Sequence, residues 1–213
     1  MEEKRNIDKA YLVIGNGIEN LSAFPFKKSS VIVGIDRGAY LLARNGIRME
    51  EAVGDFDSVS EIEFKLIEKF AKTITKLNPI KDDSDTAHAY SEYKDKANEI
   101  VIVGGIKGKR IEHFLANLSM AIEDTKVSII DDDSKIYSLS ASQDEYVFKK
   151  AGYYSFFPLI RSTITLSGFK YSLNDKTLEK FDPLGLSNEL NEDVGTLLVS
   201  EGKILVIETK YQR

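Results

Sequence analysis

Apolar residues follow two rhythms along this chain. Between residues 10 and 130 they form short continuous runs, each stopped by glycine or acid. Residues 10–14 run into Gly15-Asn16-Gly17, 31–35 into Asp36-Arg37-Gly38, 99–103 into Gly104-Gly105, and 127–130 into Asp131-Asp132-Asp133. Runs of this length without a polar face predict strands buried on both sides. Shorter strands are expected at 52–54 and 73–77. Helical periodicity fills the intervals. Residues 39–44 end at an Asn45-Gly46 C-cap, and a helix capped by Ser60 should turn Ile62, Leu66, Ile67 and Phe70 inward. A polar helix is expected to reach about Lys96. Another, from about Ile111 to Glu123, should bury Phe114, Leu115, Leu118 and Ile122.

Near residue 135 the rhythm changes to alternation. Residues 146–148, 153–157, 162–166, 196–199 and 204–207 read as short strands. Turn signals separate them, among them Leu173-Asn174-Asp175 and Ser200-Glu201-Gly202-Lys203. The predicted fold class is therefore α/β over 1–135, a mostly parallel Rossmann-like sheet with helices on both faces. An antiparallel β-sandwich should follow over 136–213.

Composition narrows the classes of function. The 213 residues are 42% hydrophobic and 30% charged, as in an ordinary globular protein, with net charge −5. No basic footprint for nucleic acid is expected. Cysteine is absent and only His88 and His113 offer imidazole, which disfavours zinc. No apolar run is long enough for a bilayer span, and the amino terminus lacks an apolar signal core, so the cytoplasm is the expected compartment.

In parallel sheets ligands bind beyond the carboxyl ends of the strands, and the acidic and glycine-rich clusters fall at such ends. Gly54-Asp55-Phe56-Asp57-Ser58 sets two carboxylates behind a glycine, and Lys81-Asp82-Asp83-Ser84-Asp85 adds more. Asp55, Asp57, Asp82 and Asp85 together suit Mg²⁺ with an anionic substrate. An N-cap role for the acids at 82–85 is the alternative, and which of them points inward is open. Gly104-Gly105-Ile106-Lys107-Gly108-Lys109-Arg110 has the make-up of a phosphate cradle, with Lys107, Lys109 and Arg110 supplying charge. Glu112 and His113 follow it; for His113 by itself a structural hydrogen bond is the simpler role. Cationic groups facing metal-binding acids is what phosphoryl-type transfer needs.

The order of Asp36-Arg37-Gly38-Ala39, Gly54-Asp55-Phe56-Asp57-Ser58, Lys81-Asp82-Asp83-Ser84-Asp85, the stretch 105–113 and Gly185-Leu186-Ser187-Asn188-Glu189 resembles bacterial thiamine pyrophosphokinases over nearly the whole chain. The resemblance implies Mg²⁺-dependent transfer of a pyrophosphoryl group from ATP to the hydroxyl of thiamine, giving thiamine diphosphate and AMP. It also implies a homodimer with thiamine near the subunit interface. Asp55, Asp57 and Asp85 would hold Mg²⁺ and the ATP phosphates. Asp36 would lie close by, Arg110 would meet phosphate, and Asp82, Lys107, Glu112 and His113 would belong to the nucleotide side. Ser187 and Asn188 would contact thiamine, and Tyr171 would stack on its rings or else pack as a sandwich aromatic. Residues 1–135 would be catalytic, and 136–213 would bind thiamine and dimerise. The chain departs from the family's usual glycine-rich motif at Lys109 and Glu112. Two other readings compete: a haloacid-dehalogenase-like phosphatase with Asp55 as nucleophile, and a non-catalytic nucleotide-sensing module.

Overall fold

The computed structural model describes residues 7–19, 21, 24, 26–27, 29–80, 83–108 and 110–211. In chain order the elements begin β1 (Ile7–Val13), β2 (Val31–Ile35), α1 (Arg37–Arg44), β3 (Met49–Gly54), α2 (Glu61–Phe70) and β4 (Ala71–Lys76). They continue with α3 (Asp85–Tyr93), β5 (Ala97–Val103), α4 (Ile111–Glu123) and β6 (Val127–Ile130). Strands β7 (Ser134–Ser140), β8 (Tyr146–Phe148), β9 (Tyr153–Pro158), β10 (Ser162–Ser167) and β11 (Leu173–Leu178) come next. The chain ends with β12 (Gly185–Glu189), β13 (Gly195–Glu201) and β14 (Lys203–Thr209). It divides into two compact units, Met1–Leu118 with Ile129–Asp132, and Ser119–Ser128 with Asp133–Arg213.

The first unit is built on strands in the order β6-β5-β1-β2-β3-β4. The pairs β5–β1, β1–β2, β2–β3 and β3–β4 are parallel. The chain moves outward from β1 to β4 and then crosses back to lay β5 on the other side of β1. That reversal makes the β1/β5 boundary the switch point of the sheet. Residues Ala10 to Val13 of β1 are all buried, as a strand covered on both faces requires. Tyr11 and Val13 join Ala39 and Leu42 of α1, Ile67 of α2 and Phe56 in one apolar cluster, while Leu12, Ile35 and Ile102 are buried as well.

Two helical faces differ from the expected ones. In α2, Ile62 is 83% exposed, and Phe64 packs inward instead, edge-on to Phe56 with ring centroids 5.1 Å apart. The helix starts as predicted, with Ser60 and Glu63 in a reciprocal capping box. In α4, Leu115 is exposed beside Ile111, and the buried positions are Asn117, Met120 and Ala121. The rest of the expected stripes holds: Leu66, Ile67 and Phe70 in α2 and Phe114, Leu118 and Ile122 in α4 are buried or half-buried.

The second unit contains antiparallel strands in two groups, β12-β9-β14-β7 and β11-β10-β13-β8. Its core gathers Phe148, Tyr154, Phe156 and Phe169 with Ile164, Leu166 and Val206. The rings of Phe148 and Phe156 each meet Phe169 nearly edge-on, at 5.7 and 5.4 Å. Residues 173–175, expected as a turn, open strand β11. That strand is polar and mostly exposed, paired to β10 across a bulge, so it lacks the alternation that marks a half-buried strand.

Candidate active site

The acids of the first unit are placed by backbone geometry that glycine and strain make possible. Asp36 ends β2 and precedes α1 with φ 47° and ψ −120°, a sparsely populated conformation for a residue with a side chain. Its carboxylate does not cap α1. It reaches across to β3, where its Oδ1 accepts the Phe56 N–H at 3.3 Å. Gly54 stands opposite with φ 152°, and a Cβ there would fall on Asp36 Oδ1. The space that Gly54 leaves is thus the seat of the Asp36 carboxylate.

Phe56 also has positive φ, at 58°, and its ring is buried. Driving that ring into the core leaves its neighbours facing outward: Asp55 half-buried, Asp57 exposed. The Asp57 N–H donates to Asp55 Oδ1 at 3.1 Å, an Asx turn that fixes the Asp55 carboxylate. From the next loop, Ser84 caps α3 by accepting the Ala87 N–H at 3.1 Å, which sets Asp85 in the first turn.

Asp36, Asp55 and Asp85 converge, with one oxygen of each lying within 4.8 Å of the others. Asp36 is pushed up to about 7 by burial first, then by a hydrogen bond and charge repulsion from Asp85 and repulsion from Asp55, with the Phe56 N–H opposing. Carboxylates crowded this way lack positive charge, and all their donor atoms are hard oxygens. The set therefore fits a cation such as Mg²⁺. Asp57 lies outside the trio, Asp82 lies outside the described residues, and Asp83 is exposed, 3.9 Å from His88 Nδ1. Within this loop Ser84 provides the cap of α3, and Asp85 sits in the helix's first turn with one oxygen among the three that converge.

The glycine-rich loop follows β5 at the switch point. Gly104 and Gly105 have φ of 90° and 82°, and their N–H groups donate to Ile130 O at 2.8 Å and Asn16 O at 3.0 Å. Lys107 is exposed beyond them, and Lys109 lies outside the described residues. Arg110 Nε donates to Glu112 Oε1 at 2.8 Å, so these two predicted residues pair with each other at the exposed start of α4. That partner holds Glu112 below the usual carboxylate range. His113 is exposed.

In the second unit Asn188 is 1% exposed, and its amide is a clamp on the backbone of Tyr171. Its Nδ2 donates to Tyr171 O at 2.8 Å, and its Oδ1 accepts the Tyr171 N–H at 3.0 Å. Tyr171 itself is 57% exposed. Ser187 has φ 53°, and its N–H donates to Ser155 Oγ at 3.1 Å, leaving its own hydroxyl on the exposed side of β12.

Comparison with known proteins bears on both units. Residues 25–130 match the family described as thiamin pyrophosphokinase, catalytic domain, and residues 138–204 match thiamin pyrophosphokinase, vitamin B1 binding domain. The thiamine pyrophosphokinase of Bacillus subtilis (strain 168) is 33% identical over 186 residues, covering 83% of this chain and 86% of that protein. A crystal structure of thiamine pyrophosphokinase from Bacillus subtilis superposes with a TM-score of 0.85 at 30% identity, over 96% of this chain and 100% of that one. The corresponding protein from Geobacillus thermodenitrificans gives 0.82 at 26% identity, over 96% and 98%.

Proposed function

The chain belongs to the thiamine pyrophosphokinase family, and from that membership together with the convergence of three aspartates we propose how its residues divide the work. It is an enzyme, a diphosphotransferase that moves a pyrophosphoryl group from ATP to the hydroxyl of thiamine, yielding thiamine diphosphate and AMP. The phosphatase and sensing-module readings find no support among its relatives. The loop of Asp55 also follows β3 rather than the first strand, where the phosphatase nucleophile belongs.

Asp36, Asp55 and Asp85 would hold Mg²⁺, with Asp57 adding charge at the outer edge of the same loop. When bound, Mg²⁺ neutralises phosphate charge and stabilises the oxygens of an in-line displacement. The residues themselves position and orient: the Asx turn fixes Asp55, and the Ser84 cap fixes Asp85. Lys107 and Arg110, with Glu112, His113 and Asp82, would form the nucleotide side. For thiamine, Ser187 and the Tyr171 ring would make contact, while Asn188 acts by holding Tyr171 in place. Residues 1–135 would thus carry the catalytic role, and 136–213 thiamine binding and dimerisation. Exposed Phe181, Leu184 and Leu186 support a homodimer. Dependence on ATP favours the cytoplasm as the site of action.

Incubation with ATP, Mg²⁺ and thiamine should release AMP in step with thiamine diphosphate. ADP as the sole nucleotide product would reject pyrophosphoryl transfer, and thiamine-independent release of phosphate would reject the acceptor.

A further inference from the structure

A second concavity of the first unit is used by none of the groups assigned so far. A cavity of about 260 Å³ lies between the loop Gly15-Asn16-Gly17 at the end of β1 and helix α1, with Arg37, Tyr40 and Arg44 along it. Helix and loop meet closely because both are built on glycine. A Cβ on Gly38 would run into Val13 O, and one on Gly15 would stand 3.2 Å from Gly38 Cα. The loop is held in turn by Asn16 O, which accepts the Gly105 N–H at 3.0 Å.

The charge of this cavity has one sign. Arg37 and Arg44 precede and follow Tyr40 by three and four residues, the spacing of neighbours on a helix surface. Their guanidinium carbons lie 5.5 and 5.9 Å from the centre of its ring. No carboxylate is among the described residues lining the cavity. Arg37 donates to Ser58 O at 3.1 Å and lies 3.6 Å from Glu63, an open ion pair that costs little to exchange. No described carboxylate pairs with Arg44. Two planar multi-donor cations beside a glycine loop suit a doubly charged phosphate. The volume falls short of the ~300 Å³ at which pockets for whole small ligands begin, so it fits a fragment of a nucleotide. Asp36 of the acid cluster directly precedes Arg37 in the chain.

We infer that this cavity receives the terminal phosphate of ATP, making Arg44 and Arg37 determinants of triphosphate recognition. The inference rests on the pyrophosphoryl-transfer reading. In that reaction the bond from the α,β-bridging oxygen to the β-phosphorus breaks, and the thiamine oxygen bonds to the β-phosphorus as its hydroxyl proton departs. The terminal phosphate travels unchanged into the product, so the same guanidiniums would grip thiamine diphosphate.

The test is equilibrium binding of ATP, inorganic tripolyphosphate and AMP, with Mg²⁺ and without thiamine, to the wild type and to Arg44→Gln. Circular dichroism checks the fold. ATP and tripolyphosphate should each bind about 10- to 100-fold more weakly to the variant, the range for losing a charged hydrogen-bond partner, while AMP binds unchanged. Arg44→Lys should recover part of the loss. Asn16→Asp, which adds a like charge beside the phosphate, should reproduce it. An equal loss for AMP would assign the cavity to the nucleoside and overturn the inference, as would unchanged affinity for all three ligands. A wild type that makes no AMP from ATP and thiamine would instead overturn the reading beneath it. An active wild type with an unimpaired Arg44→Gln variant overturns the cavity assignment alone.

Discussion

At their amino ends β2, β3 and β4 border a cleft of about 700 Å³, whereas at their carboxyl ends Asp36, Asp55 and Asp85 bring one oxygen each within 4.8 Å of the others. The amino-end cleft is lined by Phe26, Ile32, Ile47 and Phe70, with Arg48 and Lys72 among its charges. Lys72 already pairs there with Glu50 at 2.7 Å. The carboxyl end carries the positive φ of Asp36 and Phe56, the glycine seat at Gly54, and an aspartate whose pKa is pushed up to about 7. Backbone strain and like-charge crowding make the carboxyl end the candidate site, because a fold keeps such unfavourable features only where something else compensates for them.

The contrast can be broken first at Asp55. Asp55→Asn should lower AMP formation by about 10²- to 10³-fold, the scale for losing one preorganised electrostatic group, with circular dichroism unchanged. Activity within a few-fold of wild type would remove Asp55 from the cation site. Gly54→Ala comes next. Its methyl group would displace the Asp36 carboxylate, so activity should fall and the urea midpoint should drop by an amount equivalent to about 1–3 kcal/mol. An unperturbed midpoint would show that Asp36 does not occupy that space.

Asp36→Asn should divide stability from activity. Because folding raises the Asp36 pKa to about 7, the folded chain binds more protons than the unfolded one between roughly pH 4 and pH 7. Metal-free stability should therefore decline as pH rises through that window. Asp36→Asn should flatten the decline and, after solvent screening, leave the chelator-treated protein about 1–2 kcal/mol more stable at pH 8 than wild type. A parallel pH profile for wild type and variant would contradict the crowding. At the amino-end cleft, Arg48→Ala and Lys72→Ala should shift stability by no more than about 0.5 kcal/mol and leave AMP formation unchanged. A large loss of activity there would reverse the comparison.

Much of this contrast was legible before any coordinates. Strands β1, β2 and β5 announce themselves because burial on both faces demands continuous apolar runs, and each ends in the glycine or acid that forms the site. Spacing offers Asp55 as one of four candidate acids with Asp57, Asp82 and Asp85, and the family resemblance, not spacing, singles out Asp85 within 82–85. Asp36 was placed near the site by resemblance, but its part in the cation cluster depends on a strained φ and an empty Cβ position, neither of which spacing encodes. Tyr40 and Arg44 read simply as part of a helix, and Arg37 as part of the stop before it. Their cavity exists only because Gly38 lets α1 settle against the end of β1, a contact between segments more than twenty residues apart. Strand β11 stayed hidden because it is mostly exposed, and β12 because its buried positions do not alternate; both are irregularly paired. Ile62 and Phe64 exchanged faces because Phe56, reaching in from the neighbouring loop, offers an aromatic partner that helical periodicity cannot foresee.

That buried Phe56 ring has a consequence for how the protein can change. Its backbone sits between the two outward-facing aspartates, while its side chain rests against Phe64 in the apolar interior. With the proposed Mg²⁺ role of these aspartates, interior repacking and metal affinity would be geared together through one residue. A lineage that exchanged Phe64 for a smaller side chain would drift in magnesium requirement as well as in heat resistance, without altering any of the three clustered aspartates.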